Sequence, residues 1–191
     1  MKNKLLSLIL VFSCVGITAC GTVIEADTDR AYECDVKLNP FQTKIITEFN
    51  GTEVTIKGDI LKFVEDPLKM IDSEDNVLAN ADDDFNIVNQ DDHAIYVNGD
   101  LSCIVGGDFG LIANHYTIYD VDYEELASAD FDASDCYGSI TSTDGVVWAE
   151  YSSGFMFNDY TVRIHEECKL SDEVVLMLMA SYKSDRIADS N

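Results

Sequence analysis

The chain has 191 residues, with 36 Asp or Glu against 12 Lys or Arg and a formal net charge of −24. A charge of that size keeps a chain in solution and repels anionic surfaces. Nucleic acid, whose recognition needs a basic footprint, is thereby excluded as a partner.

The chain opens Met1-Lys2-Asn3-Lys4, basic and free of acid, and continues through a mostly apolar stretch over residues 5–18. An apolar run of about 14 residues is shorter than the roughly 20 that span a bilayer. A charged start, a short apolar run and a small-residue end make a secretory signal rather than a membrane helix. The segment closes Ile17-Thr18-Ala19-Cys20. This resembles the lipobox of bacterial lipoproteins, in which an aliphatic residue and small residues precede an obligatory cysteine. The resemblance implies cleavage between Ala19 and Cys20, diacylglycerol on the Cys20 thiol and acylation of the new amine. Two or three acyl chains, at about 0.8 kcal/mol per buried methylene, anchor a protein far more firmly than one. Cys14 fits less well, because Phe12 is bulky for its place before the cysteine. Gly21 stands where, in enteric bacteria, Asp retains a lipoprotein in the inner membrane. The expected location is therefore the outer membrane, facing periplasm or surface. Removing residues 1–19 takes two lysines and no acid, leaving 172 residues at −26. That length suits one domain. The expected layout is a signal peptide over 1–19, a lipidated tether over 20–31 and a single acidic, disulfide-bonded β domain over 32–191.

Short apolar runs then alternate with turn signals. Residues 43–49 and 52–57 flank Asn50-Gly51, and 93–97 and 101–105 flank Asn98-Gly99. Both dipeptides tolerate the positive φ that a two-residue hairpin turn needs. Helical turns are expected around 67–71 and within 122–129. Gly106-Gly107-Asp108-Phe109-Gly110, with no lysine and no following helix, reads as a turn or bulge rather than a phosphate loop. Residues 139–142 and 146–151 flank Thr143-Asp144-Gly145, Ser153-Gly154 precedes Phe155-Met156-Phe157, and 160–165 alternates with Val162 and Ile164 on one face. Over 174–180 a capping Ser171-Asp172-Glu173 argues helix, while Val174 and Val175 argue strand; the expectation leans to a buried strand. The fold class expected is all-β, with one or two short helices at most. Its architecture is an antiparallel meander of hairpins closing a barrel or sandwich.

Beyond Cys14 and Cys20, the chain holds Cys34, Cys103, Cys136 and Cys168. An even number in an exported chain reads as two disulfides. Three pairings are open; the favoured one joins Cys34 to Cys103 and Cys136 to Cys168. No two stand two to four residues apart, so a zinc site is not indicated.

The acids raise the question of calcium, which wants six to eight hard oxygens. Asp82-Asp83-Asp84 lies between expected strands. Asp120, Asp122 and Glu124 alternate, as do Asp130 and Asp132, with Asp135 close by. The run from Asp130 departs from an EF-hand loop, having Asp135 where glycine is required and Thr141 where the bidentate glutamate belongs. The candidate calcium ligands are therefore Asp120, Asp122, Asp130, Asp132 and Asp135 in some other geometry, against a hydrated acidic loop as the plainer reading. His93, His115 and His165 lack the close spacing of a histidine metal site. No Gly-x-Ser-x-Gly elbow is present, and with 36 acids, carboxylate pairs arise by chance. Tyr116, Tyr119, Tyr123, Tyr137, Trp148, Tyr151, Phe155, Phe157 and Tyr160 crowd the second half, which suits strand packing more than a ligand platform. The expected function is a membrane-anchored, non-enzymatic binding module for a protein or small molecule. The alternatives are an acidic inhibitor or decoy of a cationic enzyme such as lysozyme, and an envelope-polymer hydrolase.

Overall fold

A computed structural model describes residues 30–39, 42–59, 68–82, 93–106, 115–132, 134–154 and 159–189. Among these residues, twelve strands and one helix follow one another. They are β1 (Arg30–Asn39), β2 (Gln42–Phe49), β3 (Thr52–Asp59), β4 (Leu68–Ile71), β5 (Val77–Asp82), β6 (His93–Val97), β7 (Asp100–Gly106), β8 (His115–Tyr119), β9 (Glu125–Phe131), β10 (Tyr137–Ser142), β11 (Val147–Ser153), β12 (Tyr160–Ile164) and α1 (Asp172–Asp189). Each strand pairs antiparallel with the next, and β1 pairs with β12, so the meander closes into a barrel. Closure leaves no free edge.

The two Asn-Gly turns form as the sequence predicts, with positive φ at Asn50, Gly51, Asn98 and Gly99. The alternation of each strand then sorts its side chains. On β2, Thr43, Ile45, Thr47 and Phe49 are buried while Lys44, Ile46 and Glu48 point outward. Val54, Ile56, Met70, Ile118, Ile140, Val162 and Ile164 continue the inward set. The outer face of β1 to β3, with Glu33, Asp35, Lys37, Lys44, Glu48, Glu53 and Lys57, is charged, unlike the apolar outer band of a barrel bathed in lipid.

The largest departure from expectation is α1. Residues 172–189 are helix, not strand, and Val174 to Ala180 are buried on every side. A helix apolar all round is a buried helix. It contacts β3 to β6 and β12, and so runs inside the barrel. The geometry explains why. Twelve strands about 4.8 Å apart enclose a lumen too wide for wall side chains alone. A helix is about 10–12 Å across and fills it. With β12 closing on β1, no edge remains for a thirteenth strand, and this outweighs the β-branched valines. Where the helix runs close to the wall, β5 offers only Ala79 and Ala81 inward. The helix start agrees with local chemistry. The Ser171 hydroxyl accepts from the Val174 N–H at 3.4 Å, and Asp172 and Glu173 favour the positive end of the dipole.

Other expectations need correction. Leu68–Ile71 is strand β4, and 125–129 belong to β9 rather than to a helical turn. In both segments the ladder to the neighbouring strands overrides weak helix propensity. The strand β1 begins at Arg30, so the expected tether over 20–31 gives up its last two residues to the barrel. The signal, lipobox, Asp83, Asp84 and Phe155 to Phe157 lie outside the described residues.

Gly138 faces Phe131 across the β9–β10 ladder, and a Cβ there would stand 2.3 Å from the ring. Gly138→Ala therefore must push Phe131 out of the packed lumen. The expected cost is about 1–3 kcal/mol, read as a lowered midpoint in urea.

Candidate functional site

Call the end of the barrel where β1 begins proximal, and the other end distal. The five candidate calcium ligands do not converge. Asp120 and Asp122 sit in the β8–β9 turn at the proximal end; Asp132 and Asp135 sit in the β9–β10 loop at the distal end. The seven residues of β9 separate the two by roughly 23 Å. Asp130 points outward from β9, bonded to His115 Nδ1 at 2.6 Å. Among the described residues, no three His, Cys, Asp or Glu side chains gather as a metal ion requires.

Two of the five, Asp120 and Asp132, instead shape turns, as Asp72 also does. Asp120 Oδ1 accepts from the N–H groups of Asp122 and Glu124, both at 2.9 Å. Asp72 does the same for Glu74 and Asn76, at 2.8 and 2.9 Å. Asp132 accepts from Cys136 at 2.8 Å and Ser134 Oγ at 2.7 Å. Three residues after each comes a residue with positive φ: Asp75, Tyr123 and Asp135. Among the described residues a fourth turn of this kind starts at Ser142 and places Gly145 there. This is a type I turn with a left-handed residue closing the hairpin.

The acidities follow. Hydrogen bonds from Asn76 hold Asp72 below the ordinary aspartate value of 3.8, and the Ser142 hydroxyl does so for Asp144. Burial pushes Asp132 up, but the Ser134 hydroxyl and the N–H groups of Cys136, Tyr137 and Ser134 outweigh it, and its pKa is lowered. A carboxylate whose folded pKa is depressed stabilises the fold fully above its unfolded value. The stability these three contribute is thus constant above the ordinary aspartate range and lost as pH falls through their lowered folded values. Asp132→Asn flattens the acid limb of a stability-versus-pH curve; an unchanged limb would remove Asp132 from this role.

The four cysteines are thiols in this structure. Cys34 and Cys103 both face the lumen, but β1 and β7 lie six strands apart by either route round the barrel. Cys136 stands at the distal end and Cys168, after β12, at the proximal end. A disulfide needs Cα atoms within about 7 Å, so the favoured pairing is not the one the barrel allows. Burial pushes the Cys34 and Cys103 thiols up to about 12, and both behave as small apolar residues. In folded protein, Cys34 and Cys103 resist alkylation. In denaturant without reductant, Cys34, Cys103, Cys136 and Cys168 all take label, counted by peptide mass; one unlabelled pair would mean a disulfide.

Of the aromatic residues of the second half, Tyr116, Trp148, Tyr151 and Tyr160 are core, while Tyr137 is exposed. Tyr182 of α1 stacks on Phe131 at 3.6 Å between centroids and meets Tyr116 and Tyr151 edge-on at 6.4 and 5.9 Å. Tyr151 and Tyr160 are 5.1 Å apart. At the distal rim of this cluster lies the buried Lys183, whose ammonium donates to Asp135 Oδ2 at 2.6 Å. Tyr151 donates to the other carboxylate oxygen at 3.2 Å. At the proximal end Arg30 and the Tyr32 hydroxyl bond the two oxygens of Asp172. The luminal helix is thus clamped to the wall at its first residue and again at Lys183.

On the outside, Tyr137 donates to Glu150 at 2.8 Å, and His165 Nε2 approaches the same carboxylate at 3.5 Å. Burial, with Glu150 beside it, pushes Tyr137 up to about 12, which suits a donor and not a base. Among the described residues, three hollows meet around Glu33. One, of about 340 Å³, includes Cys34, Asp35, Asp159 and Tyr160; a second, of about 310 Å³, includes Asp35, Glu48 and Glu53; a third, of about 590 Å³, includes Tyr32, Glu48 and Arg163. None of these acids stands out in the sequence, although the Asn50-Gly51 hairpin register alone sets Glu48 opposite Glu53.

No protein-family model, no curated protein and no solved structure matches the chain.

Proposed function

We propose that the chain is a lipid-anchored protein of the bacterial envelope that binds a partner through its outer surface and performs no catalysis. The observation that supports this best is the filled lumen. In barrels that carry small molecules the interior is the cavity; here α1, Tyr116, Phe131, Tyr151 and Tyr160 occupy it. Recognition then falls to the acidic hollows around Glu33 and to the turns. The partner is cationic. The hydrolase alternative finds little support, since a general acid needs a raised carboxyl pKa in a cleft. Asp72, Asp132 and Asp144 are displaced the other way, by their own turns.

The inhibitor or decoy of a cationic enzyme, such as a lysozyme, is favoured by one further arrangement. Asp72, Glu74, Asp75, Asp120, Asp122, Glu124 and Asp144 all stand on turns at the proximal end. Such contacts weaken steeply with salt. Two measurements test the proposal separately. Metabolic labelling with an alkyne fatty acid should mark the chain and spare Cys20→Ala; equal labelling of both would refute the anchor. Titration with a cationic muramidase should show binding that salt abolishes; no binding at low salt would refute the cationic partner.

A further inference from the structure

The outer face of β1 to β4 carries two rows of like charge. Nearer the distal end, Lys37 lies directly opposite Lys44, Lys44 opposite Lys57, and Lys57 opposite Lys69. Four residues toward the proximal end, Glu48 lies opposite Glu53, and Glu33 of β1 lines the same hollow. Midway between the rows run Asp35, Ile46, Thr55 and Ile71 in mutual register. Ile46 points outward and is half-buried.

Like charges directly opposite across a ladder destabilise a sheet. With 36 acids in the chain, an acid opposite any of these lysines would have been easy to place. Among the described residues, the row has one ion pair, Lys37 with Asp35 at 3.7 Å. A twofold interface brings one patch against itself, so that residue i meets j and j meets i, and two rows of opposite charge on either side of an apolar residue satisfy that requirement.

We propose that this wall binds a second copy of the chain about a twofold axis lying in the contact plane along the Ile46–Thr55 row. Rotation by half a turn about that line exchanges the rows, because each stands two residues from Ile46 along β2. Lys44 then meets Glu48 of the other copy, Lys57 meets Glu53, and Lys37 meets Glu33; each contact occurs twice. Ile46 meets its own counterpart. Asp35, at the edge of the patch, is already neutralised by Lys37. The charged patch spans roughly 10 by 13 Å on a convex wall, well under the ~800 Å² per partner of a standard interface. The dimer is therefore weak and concentration-dependent, and salt at physiological strength screens the repulsion between two acidic copies beyond about 8 Å.

The test uses the full chain in mild detergent. Ile46→Cys should cross-link to itself under mild oxidation, whereas Thr117→Cys, outward on the opposite wall, should not. Adding K44E with K57E, or E48K with E53K, should cut the cross-link at least fivefold. Mixing the two swapped proteins should restore it, which also shows that both are folded. Two chains sharing a micelle would ignore these swaps. Equal cross-linking at Thr117→Cys, yields unmoved by the swaps, or no recovery on mixing would each overturn the proposal.

Discussion

Met177→Asp leaves no folded barrel, while Met177→Leu melts within a few degrees of the parent. Met177 is fully buried in the middle of the luminal helix, with apolar neighbours on every side. Removing its side chain from the core forfeits about 1.5–3 kcal/mol. The carboxylate that replaces it has no partner, and an unpaired buried ion costs several kcal/mol more. Together these approach the ~5–15 kcal/mol that holds an ordinary domain folded. Leucine keeps the volume and polarity, and such swaps cost under about 1.5 kcal/mol. Far-UV circular dichroism and limited proteolysis read the difference. A cooperative melt for Met177→Asp near that of the parent would mean that α1 is not the plug of the barrel and that the lumen is open to a ligand.

The strands were legible because their signals are local. Asn50-Gly51 and Asn98-Gly99 dictate tight turns, and the turn fixes the register of everything beside it. That register already contained the Lys44–Lys57 and Glu48–Glu53 pairs, which the sequence offers to anyone who counts outward from the turn. The helix was not legible in the same way. Residues 174–180 satisfy both a buried strand and a buried helix, and the choice depends on a fact about the whole chain: twelve strands close on themselves and leave a space to fill. The cysteines misled for a related reason. The pairing of Cys34 with Cys103 depends on where their strands lie in the closed barrel, and β1 and β7 stand on opposite walls. The aspartates misled through composition. Alternating acids on a loop look like metal ligands, but Asp120 and Asp132 each bond N–H groups of their own turn. The informative feature was the position of each acid, three residues before a left-handed residue.

Lys183→Met destabilises the domain by about 3 kcal/mol, and Asp135→Asn in the same chain recovers much of the loss. Lys183 is 3% exposed, and its ammonium has Asp135, which also accepts from Tyr151, as counter-ion at 2.6 Å. Breaking a buried pair from one side strands the other charge, at about 3–5 kcal/mol. The Asp135 side chain keeps a fifth of its surface in water and the Tyr151 hydroxyl as donor, so the lower end applies. Replacing both partners removes the stranded charge, and a coupling of about 1–3 kcal/mol should appear in the double-mutant cycle. Asn suits position 135 because φ there is +57°, a region that asparagine tolerates. Urea denaturation of the four proteins measures the cycle. Additive losses would mean that the pair does not act as a unit, and that apolar packing alone holds the distal end of the helix. A positive coupling identifies Lys183 as the residue that fixes how far the helix enters the barrel. The stack of Tyr182 on Phe131 one residue earlier would then be set by that depth, so the clamp positions the aromatic core rather than merely closing it.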